Sequence, residues 1–181
     1  MGRNQSGIRT RERIIDATRS LLAESGLEGT TLAAICDRAA IRAGSFYNLF
    51  NSKDEAVLLV VRQAIDAVDP DPAHVGTDTV ADLVNAYIKF VTGEPAIARI
   101  YLQVAVNGGM SDQTIHDRLI AHHQRRLERF RDAAMRANPQ ADPDQVTRET
   151  EILLATLHGL AFRSLLDDEF DFAGTAAGLI S

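Results

Sequence analysis

The sequence has little of what disulfide-linked, secreted or membrane proteins require. It contains one cysteine, Cys36, so no disulfide can form within the chain, and a reducing compartment is favoured. No apolar run approaches the roughly 20 residues of a membrane-spanning helix. Residues 1–6 are polar, unlike the apolar stretch of a signal peptide. We therefore expect a cytoplasmic protein with no membrane partner.

Residue clusters that carry chemistry are also scarce. None of the five histidines combines with cysteine or carboxylate residues at the spacing of a helical zinc site, so we expect no metal and no cofactor. The sequence shows no nucleophile–base pair and no glycine-rich phosphate loop. Cys36 falls on the inner face of a predicted helix, where a thiol serves as part of the core. We therefore expect that the protein is not an enzyme.

Charge is distributed unevenly along the chain. The net charge of −6 argues at first against a nucleic-acid partner. Residues 1–53, however, carry eight Lys and Arg against five Asp and Glu, whereas residues 54–181 carry eleven against twenty. This asymmetry favours contact with phosphate by the first third of the chain alone. The basic residues gather near the N-terminus, as Arg3, Arg9, Arg11, Arg13 and Arg19.

The stretch from Thr30 to Glu55 predicts two short helices joined by a tight turn. Thr31 is a suitable N-cap for the first helix, because a threonine hydroxyl can accept a hydrogen bond from a free backbone N–H. Residues 40–42 form the predicted turn, and residues 43–50 form the second helix. Residues 52–55 have the Ser-x-x-Glu pattern of a capping box and open a further helix. This arrangement is that of a helix-turn-helix, whose second helix lies in the DNA major groove.

The rest of the sequence predicts helices and no strands. A loose basic arm, residues 1–8, precedes a helix from Thr10 to Ser25, which Gly26 ends. The helix that opens at Ser52 continues to Val68, and further helices are expected over residues 78–92, 95–107, 111–138, from 142 onward, and over 172–180. The predicted fold class is therefore all-α. We expect a three-helix DNA-binding domain over residues 1–53 and a larger helical ligand-binding and dimerisation domain over residues 54–181.

The side chains of the second short helix indicate how it would meet DNA. Gly44 has no side chain, and Ala43 and Ser45 beside it are small, so backbone and DNA can approach closely. Tyr47 can bond a phosphate, and Asn48 can pair in a bidentate way with adenine. The alternative is that Tyr47 and Asn48 are ordinary surface residues of a small bundle.

A set of residues in this segment carries a resemblance to a known family. They are Thr31, Ile35, Ala39, Gly44, Phe46, Tyr47, Phe50, Ser52 and Lys53. Over about residues 10–60 the chain resembles the TetR (tetracycline-repressor-like) family of bacterial regulators. The resemblance implies a homodimer that binds double-stranded DNA at a palindromic operator, and a small-molecule effector bound in the C-terminal body. Together with the helix itself, it implies DNA contacts by Thr31, Arg42, Ala43, Gly44, Ser45, Tyr47, Asn48 and Lys53.

The sequence departs from the family pattern at the turn and in the second helix. Ala40 stands where the family usually has glycine, so either the turn is not left-handed there or it holds mild strain. Arg42 stands where serine or threonine usually caps the helix, and the lost cap costs about 1 kcal/mol. We expect Arg42 to contact DNA instead, as a phosphate clamp or a reader of guanine. Asn48 and Leu49 replace aromatic or histidine residues, so the operator sequence cannot be transferred from relatives.

The C-terminal body offers candidates for a ligand pocket. Aromatic walls with a few polar tips are the composition of a small-molecule site. Plain core packing is the alternative for each of these residues. The candidates are Tyr87, Phe90, Tyr101, Gln103, Asn107, Met110, Phe130 and Phe162.

The last two long helices are the candidates for a dimer interface, and a stripe on the second of them is the proposed contact. Leu153, Leu157, Leu160 and Ser164 form an apolar stripe, and Gly159 would allow a second copy to approach closely. In the family, the final helices pair across a two-fold axis. The alternative is that this stripe faces the core of its own chain.

Three functions are compatible with these features. The leading one is a dimeric transcriptional repressor that a small molecule releases from its operator. The second is a helical small-molecule carrier without DNA binding, and the third is a helical enzyme. The basic N-terminal segment and residues 42–53 argue against the carrier.

Overall fold

A computed structural model of the chain describes residues 2–68, 76–99, 101–102 and 113–180. These residues are helical apart from short connections, and none of them forms a strand, which confirms the predicted all-α class. The helices are α1 (Gly2–Gly29), α2 (Leu32–Arg38), α3 (Ala43–Tyr47), α4 (Lys53–Val68), α5 (Val80–Gly93), α6 (residues 95–99 and 101–102), α7 (Gln113–Ala137), α8 (Pro143–Leu166) and α9 (Phe172–Ala177), followed by a 3₁₀ helix (Gly178–Ile180).

Local sequence signals set several helix ends. Thr31 Oγ1 accepts from the Ala34 backbone N–H at 3.1 Å, which confirms the predicted N-cap of α2. Gly26 has φ 66° and ψ −169°, a conformation that is essentially restricted to glycine, and the helical path of α1 breaks there as predicted. α5 begins later than expected. Its N-cap is Thr79, which exchanges hydrogen bonds with Asp82 in a capping box.

The predicted loose arm over residues 1–8 is wrong. α1 begins at Gly2, and Thr10 Oγ1 donates to the Ser6 carbonyl at 2.9 Å within the helix. No proline interrupts this segment, and arginine has a favourable helix propensity. The helical conformation therefore extends toward the N-terminus instead of stopping at Thr10.

The chain forms two compact units. Unit 1 comprises residues 1–64 and 96–115, and unit 2 comprises residues 65–95 and 116–181. Unit 1 extends beyond the predicted DNA-binding domain, so the functional division at residue 53 stays a prediction. α4 contributes residues to both units, because it continues without interruption from Lys53 to Val68.

The core of unit 1 is apolar. It contains the buried side chains of Leu22, Ile35, Phe46 and Phe50, whereas those of Leu32, Ile41 and Leu49 are half-buried. α4 adds Val57 and Val60, which are completely buried. Cys36 is buried on the inner face of α2, as predicted, and burial followed by the charge of Asp37 raises the pKa of its thiol.

The turn between α2 and α3 is left-handed at Ala40. Ala40 has a φ of 49°. The Ile41 N–H donates to the Cys36 carbonyl at 2.9 Å, and the Ala40 N–H donates to the Asp37 carbonyl at 3.0 Å. This pair of bonds is a Schellman motif, which favours glycine at the left-handed position. Of the two expected alternatives, the strained left-handed turn is therefore the correct one, at a cost of about 1 kcal/mol.

Arg13 of α1 stabilises this turn. Its Nε donates to the Ala39 carbonyl at 2.9 Å, and its Nη2 donates both to the Ala39 carbonyl and, at 2.8 Å, to the Ala40 carbonyl. A cationic group at a helix C-terminus also complements the partial negative charge of the free carbonyls. Arg13 thus offsets the strain at Ala40 from a neighbouring helix.

A buried ion pair fixes the start of α5 to α7 in unit 2. The Asp78 side chain is 1% exposed, and its Oδ2 accepts from Arg129 Nε and Nη2 at 2.9 and 2.8 Å. Arg136 Nη2 donates to the Asp78 backbone carbonyl at 2.6 Å. Removing one partner of such a pair leaves an uncompensated buried charge, so the two helices are held in one register.

His158 of α8 lies in the interior of unit 2. Its ring centroid is 5.8 Å from that of Tyr87 on α5 and 6.3 Å from that of His123 on α7. Burial, then the positive charge of Arg126 and those of His123 and His122, lowers the pKa of His158 to about 4. The imidazole is therefore neutral at neutral pH.

Replacing Arg13 with methionine should lower the free energy of unfolding by about 1 kcal/mol, because the Ala39 and Ala40 carbonyls lose a charged donor that is only partly shielded from water. Urea unfolding followed by circular dichroism measures the change. Arg9→Met, at an exposed position of the same helix, is the matched control and should stay within about 0.5 kcal/mol of the parent. Equal losses in the two variants would show that the turn does not depend on Arg13.

The free energy of unfolding should fall as the pH drops from about 6.5 to about 4. Over this window the unfolded chain takes up a proton at His158 that the folded chain does not, whereas above it both forms are neutral. The contribution of His158 is roughly 3 kcal/mol. Urea denaturation at a series of pH values should show a shallower acid loss for His158→Gln than for the parent. His116→Gln, at an exposed site on α7, should keep the parental slope, and a matching slope in His158→Gln would refute the assignment.

Candidate functional site

α3 presents nearly all of its side chains to solvent. Phe46 is completely buried and its ring centroid lies 5.5 Å from that of the buried Phe50. The predicted DNA contacts of this segment are all exposed, namely Ala43, Gly44, Ser45, Tyr47 and Asn48. Tyr47 is 57% exposed, and its ring centroid lies 5.8 Å from that of Phe46 in a T-shaped arrangement. The ring of Phe46 therefore anchors the helix, while the other side chains of this segment remain exposed and available to a partner.

Gly44 is not required by the packing of the chain. A Cβ built at this position would meet no atom within 4 Å among the described residues. Its φ is not in the left-handed region, so alanine would fit the backbone as well. Packing within the described chain therefore does not explain the absence of a side chain at Gly44.

Arg42 occupies the N-cap position of α3 with an extended backbone, φ −89° and ψ 153°. Its side chain makes no cap hydrogen bond and is exposed, which confirms the predicted loss of a side-chain cap. The Arg42 carbonyl accepts from the Ser45 N–H at 2.9 Å and so begins the helix. The guanidinium is therefore placed at the edge of the exposed face of α3.

Thr31 and Lys53 lie at the starts of α2 and α4. Thr31 is exposed and Lys53 is half-buried. The predicted cap of α4 is confirmed at Ser52, whose Oγ accepts from the Glu55 N–H at 3.1 Å. The Glu55 carboxylate also accepts from the backbone N–H and the side-chain amide of Asn51, at 2.8 and 2.9 Å. Two rigid helix starts thus flank α3.

Several arginines that were expected to meet phosphate are engaged within unit 1. Arg13 holds the turn, the Arg11 guanidinium lies 5.4 Å from the Phe50 ring centroid, and Arg19 Nη2 donates to Gln63 at 3.3 Å. Arg38 forms a two-point ion pair with Glu24, which lowers the pKa of that carboxyl through the hydrogen bond. The side chain of Arg3 lies outside the described residues. Part of the basic cluster therefore has contacts within unit 1, and contact of this segment with phosphate stays a prediction.

Sequence reasoning missed the role of Arg13. The available signal was Ala40, because a strained turn that lacks its usual glycine needs an additional stabilising contact. Nothing in the spacing of Arg13 distinguishes it from Arg9 or Arg11. The three-dimensional proximity of α1 to the end of α2 decides which arginine makes the contact.

The candidates for a ligand pocket differ in burial and in the unit to which they belong. Tyr87, Phe90 and Phe130 are buried in unit 2, with 6.3 Å between the ring centroids of Tyr87 and Phe90. Tyr101 is buried but belongs to unit 1. Phe162 is 54% exposed, so it does not belong to this buried group, and its assignment to a pocket wall stays a prediction. Gln103, Asn107 and Met110 lie outside the described residues.

Other residues complete the buried cluster around Tyr87. The Arg126 guanidinium lies over the Tyr87 ring at 4.9 Å, and the centroids of His158 and Phe172 lie 5.8 and 6.3 Å from that of Tyr87. The sequence carried a signal for part of this cluster. His122, Arg126 and Phe130 follow one another at intervals of four on α7 and hence share one face.

The predicted dimer stripe on α8 faces inward. Leu157 is completely buried, and Leu153, Leu160 and Ser164 are half-buried. The buried side of α8 is Val146, Thr150, Leu154, Leu157 and Ala161. The assignment of Leu157 to a dimer interface is therefore wrong, and the alternative that this stripe serves the core of its own chain holds for it.

A second apolar stripe on α8 is exposed. Ile152 is 65% exposed, Phe162 54% and Leu166 73%, with exposed Ala155 and Gly159 between them. Sequence spacing could not separate the two stripes, because α8 is apolar on more than one face.

Among the described residues, no group of three or more His, Cys, Asp and Glu side chains is arranged to hold a metal ion. In the same part of the chain, no helix combines the length and apolar character that crossing a membrane requires.

Comparison with known proteins supports the helix-turn-helix. Residues 14–59 match the family model described as bacterial regulatory proteins, tetR family. The HTH-type transcriptional repressor KstR2 of Rhodococcus jostii (strain RHA1) is 40% identical over 62 residues, which are 34% of this chain and 29% of that protein. The chain thus aligns with less than a third of the length of the curated relatives that it matches.

Solved structures are similar over most of the chain. A transcriptional regulator (TerR/AcrR family) from Aquifex aeolicus VF5 has a TM-score of 0.66 and 20% identity, and the match covers 94% of this chain and 95% of that one. SmeT, the repressor of the Stenotrophomonas maltophilia multidrug efflux pump SmeDEF, has a TM-score of 0.63 and 23% identity, with 90% and 82% covered. Residues 14–59 therefore match the tetR family model over the segment that carries the resemblance, and the chain has the fold of these solved structures.

Proposed function

We propose that this protein is a transcriptional repressor that binds a palindromic DNA operator as a homodimer and is released by a small-molecule effector. The observation that carries the proposal is the exposed face of α3. A short helix anchored by the buried Phe46 presents small and hydrogen-bonding side chains outward, within the segment that matches the tetR family. Such a helix fits the major groove of DNA.

Each exposed residue of the helix-turn-helix then has a role. Gly44 allows the backbone to approach DNA closely, and Tyr47 bonds a phosphate. Asn48 reads an adenine, and Arg42 contacts guanine or a phosphate at the edge of α3. Thr31 and Lys53, at the starts of the flanking helices, bind the phosphate backbone, with Ala43 and Ser45 lining the groove wall.

The second stripe of α8 supports the homodimer. Ile152, Ala155, Gly159, Phe162 and Leu166 are spaced alternately by three and four residues, the repeat with which two helices pack along each other. A Cβ at Gly159 would meet no atom within 4 Å of the described chain, so its openness serves a second copy. Two copies paired through this face would supply the two recognition helices that a palindrome requires.

The buried aromatic cluster of unit 2 supports an effector site. The guanidinium of Arg126 lies over the rings of Tyr87 and Phe130, and the rings of His158 and Phe172 both lie against Tyr87. Aromatic walls with few polar groups are typical of small-molecule sites. α4 is the helix shared by both units, so an effector that favours one conformation of unit 2 would act on α3 through it.

Replacing Arg42 with alanine should weaken operator binding by at least about tenfold, because one bidentate base contact or charged phosphate contact is lost. Electrophoretic mobility shifts with the DNA flanking the protein's own gene measure the affinity. A salt titration separates the two roles. Loss of a phosphate contact lowers the slope of log affinity against log salt by about one per site, whereas loss of a base contact changes sequence preference. Unchanged affinity of a folded Arg42→Ala variant would exclude Arg42 from the interface.

The variant Gly44→Ala tests, in the same assay, whether DNA closely approaches the backbone of α3. Its melting temperature should equal or slightly exceed that of the parent, because the new methyl group meets no atom of the described chain and alanine favours a helix over glycine, yet its affinity should fall. Gly93→Ala, at another open helical position on α5, should likewise not lower the melting temperature and should leave the affinity unchanged. Full affinity of Gly44→Ala would mean that DNA does not approach α3 at this residue.

Phe162→Asp should convert the dimer into a monomer, because a charge placed in the centre of an apolar interface is desolvated without a partner. Sedimentation velocity measures the oligomeric state, and circular dichroism should show unchanged helix content. Ile120→Asp is the matched control, since Ile120 is an exposed apolar residue of α7 that lies off the stripe. A Phe162→Asp variant that remains dimeric would rule out the α8 stripe as the interface.

A further inference from the structure

We propose that the interior of unit 2 binds the carboxylate of an anionic effector, which Arg126 and His158 hold while its apolar body lies against Tyr87 and Phe172. The inference rests on the proposed function of a ligand-controlled repressor and specifies the class of ligand. The four residues come from α7, α8, α5 and α9, respectively. A ligand bound among them would therefore contact four different helices of unit 2.

Arg126 supplies the charge that a carboxylate needs. Its guanidinium carbon lies 4.9 Å from the Tyr87 ring centroid and 5.9 Å from that of Phe130. Its Nε is buried, and no group in the described part of the chain accepts a hydrogen bond from it. The ring faces attract the cation but do not replace an acceptor for the N–H. Burying a charged donor in this way is costly, and a ligand oxygen removes that cost.

His158 supplies a second polar group beside the same Tyr87 ring. Its Nε2 is buried and, within residues 2–68, 76–99, 101–102 and 113–180, has no hydrogen-bond partner. Its ring lies edge-on to Tyr87 and 6.3 Å from that of His123. The groups that act on it electrostatically are Arg126, His123 and His122, which carry or can acquire positive charge. The polar part of the cluster is thus suited to a negative ligand.

The charge and shape of the site select a carboxylate with an apolar body. Arg126 would repel a cationic ligand, and a neutral ligand would leave its charge uncompensated. The planar guanidinium fork matches a carboxylate, and the surrounding rings provide walls for an apolar body. The buried carboxylate of Asp78 does not serve this purpose, because it is paired with Arg129.

Ligand binding should be coupled to protonation of His158. A carboxylate bound beside the imidazole favours the imidazolium form and raises the pKa from its value in the free protein. The complex would therefore take up a proton on binding at mildly acidic pH. A contact made by Arg126 alone would not produce this uptake.

Isothermal titration calorimetry of the full chain with benzoate and octanoate tests the site, with benzamide and octanamide as neutral counterparts. At least one acid should bind at millimolar or lower concentration, and its amide should bind more weakly by about tenfold or more. Arg126→Gln should weaken binding of the acid by a similar factor. Arg125→Gln, an exposed neighbour on α7, should bind as the parent does. If circular dichroism shows that Arg126→Gln is unfolded, Arg126→Lys replaces it and should show a smaller loss, since lysine keeps the charge without the fork.

Titrations in buffers of different ionisation enthalpy measure the proton uptake. The parent should take up part of a proton for each acid bound at mildly acidic pH, and His158→Gln should take up none. Acid binding without proton uptake by the parent would remove His158 from the site.

Several results would overturn the inference. They are the absence of binding by both acids, equal binding of acid and amide, full binding by Arg126→Gln, and preference for phenyl phosphate over benzoate. Mobility-shift assays distinguish these failures from a failure of the proposed function. If an acid binds but does not displace operator DNA, the carboxylate site stands and effector release is wrong. If DNA binds and neither acid does, the carboxylate site is wrong and operator binding stands.

Discussion

The burial of one aromatic ring is the constraint on which the exposed face of α3, the proposed DNA-binding surface, depends. α3 has five residues, and a helix of that length cannot persist by its own hydrogen bonds. Its position is set by Phe46, which is completely buried and packs near Phe50 at the start of the connection to α4. The other four residues of α3 are exposed, so they contribute little to the core that fixes the helix. A fold shared with distant regulators can therefore present side chains on α3 that are particular to this chain.

α8 illustrates how one helix can serve two surfaces. Leu154 and Leu157 are completely buried on its inner side, whereas Ile152, Phe162 and Leu166 are exposed on another. An exposed apolar stripe of this kind is unfavourable for an isolated chain, so its presence needs a partner to cover it. The proposed homodimer supplies that partner through the same residues on both copies, as a two-fold axis requires.

The sequence was sufficient to predict features that arise from local rules. Thr31, Ser52 and Gly26 act as predicted, because caps and glycine stops depend on a few neighbouring residues. Three features could not be predicted in this way. They are the choice between the two stripes of α8, the contact of Arg13 with the turn, and the position of Arg126 among aromatic rings. Each depends on which helices are neighbours in space. Arg13 and Arg126 resemble ordinary surface arginines until that arrangement is known.

The strained Ala40 and its stabiliser Arg13 also constrain how such a sequence can change. Substitution of Ala40 by glycine would relax the backbone and leave the arginine free to vary, whereas loss of the arginine first would leave the strained turn without its donor. The order of replacement at the two positions therefore matters. Among descendants of this sequence, glycine at position 40 is expected to precede loss of arginine at position 13 more often than to follow it, because the reverse order passes through a protein that is less stable by about 1 kcal/mol.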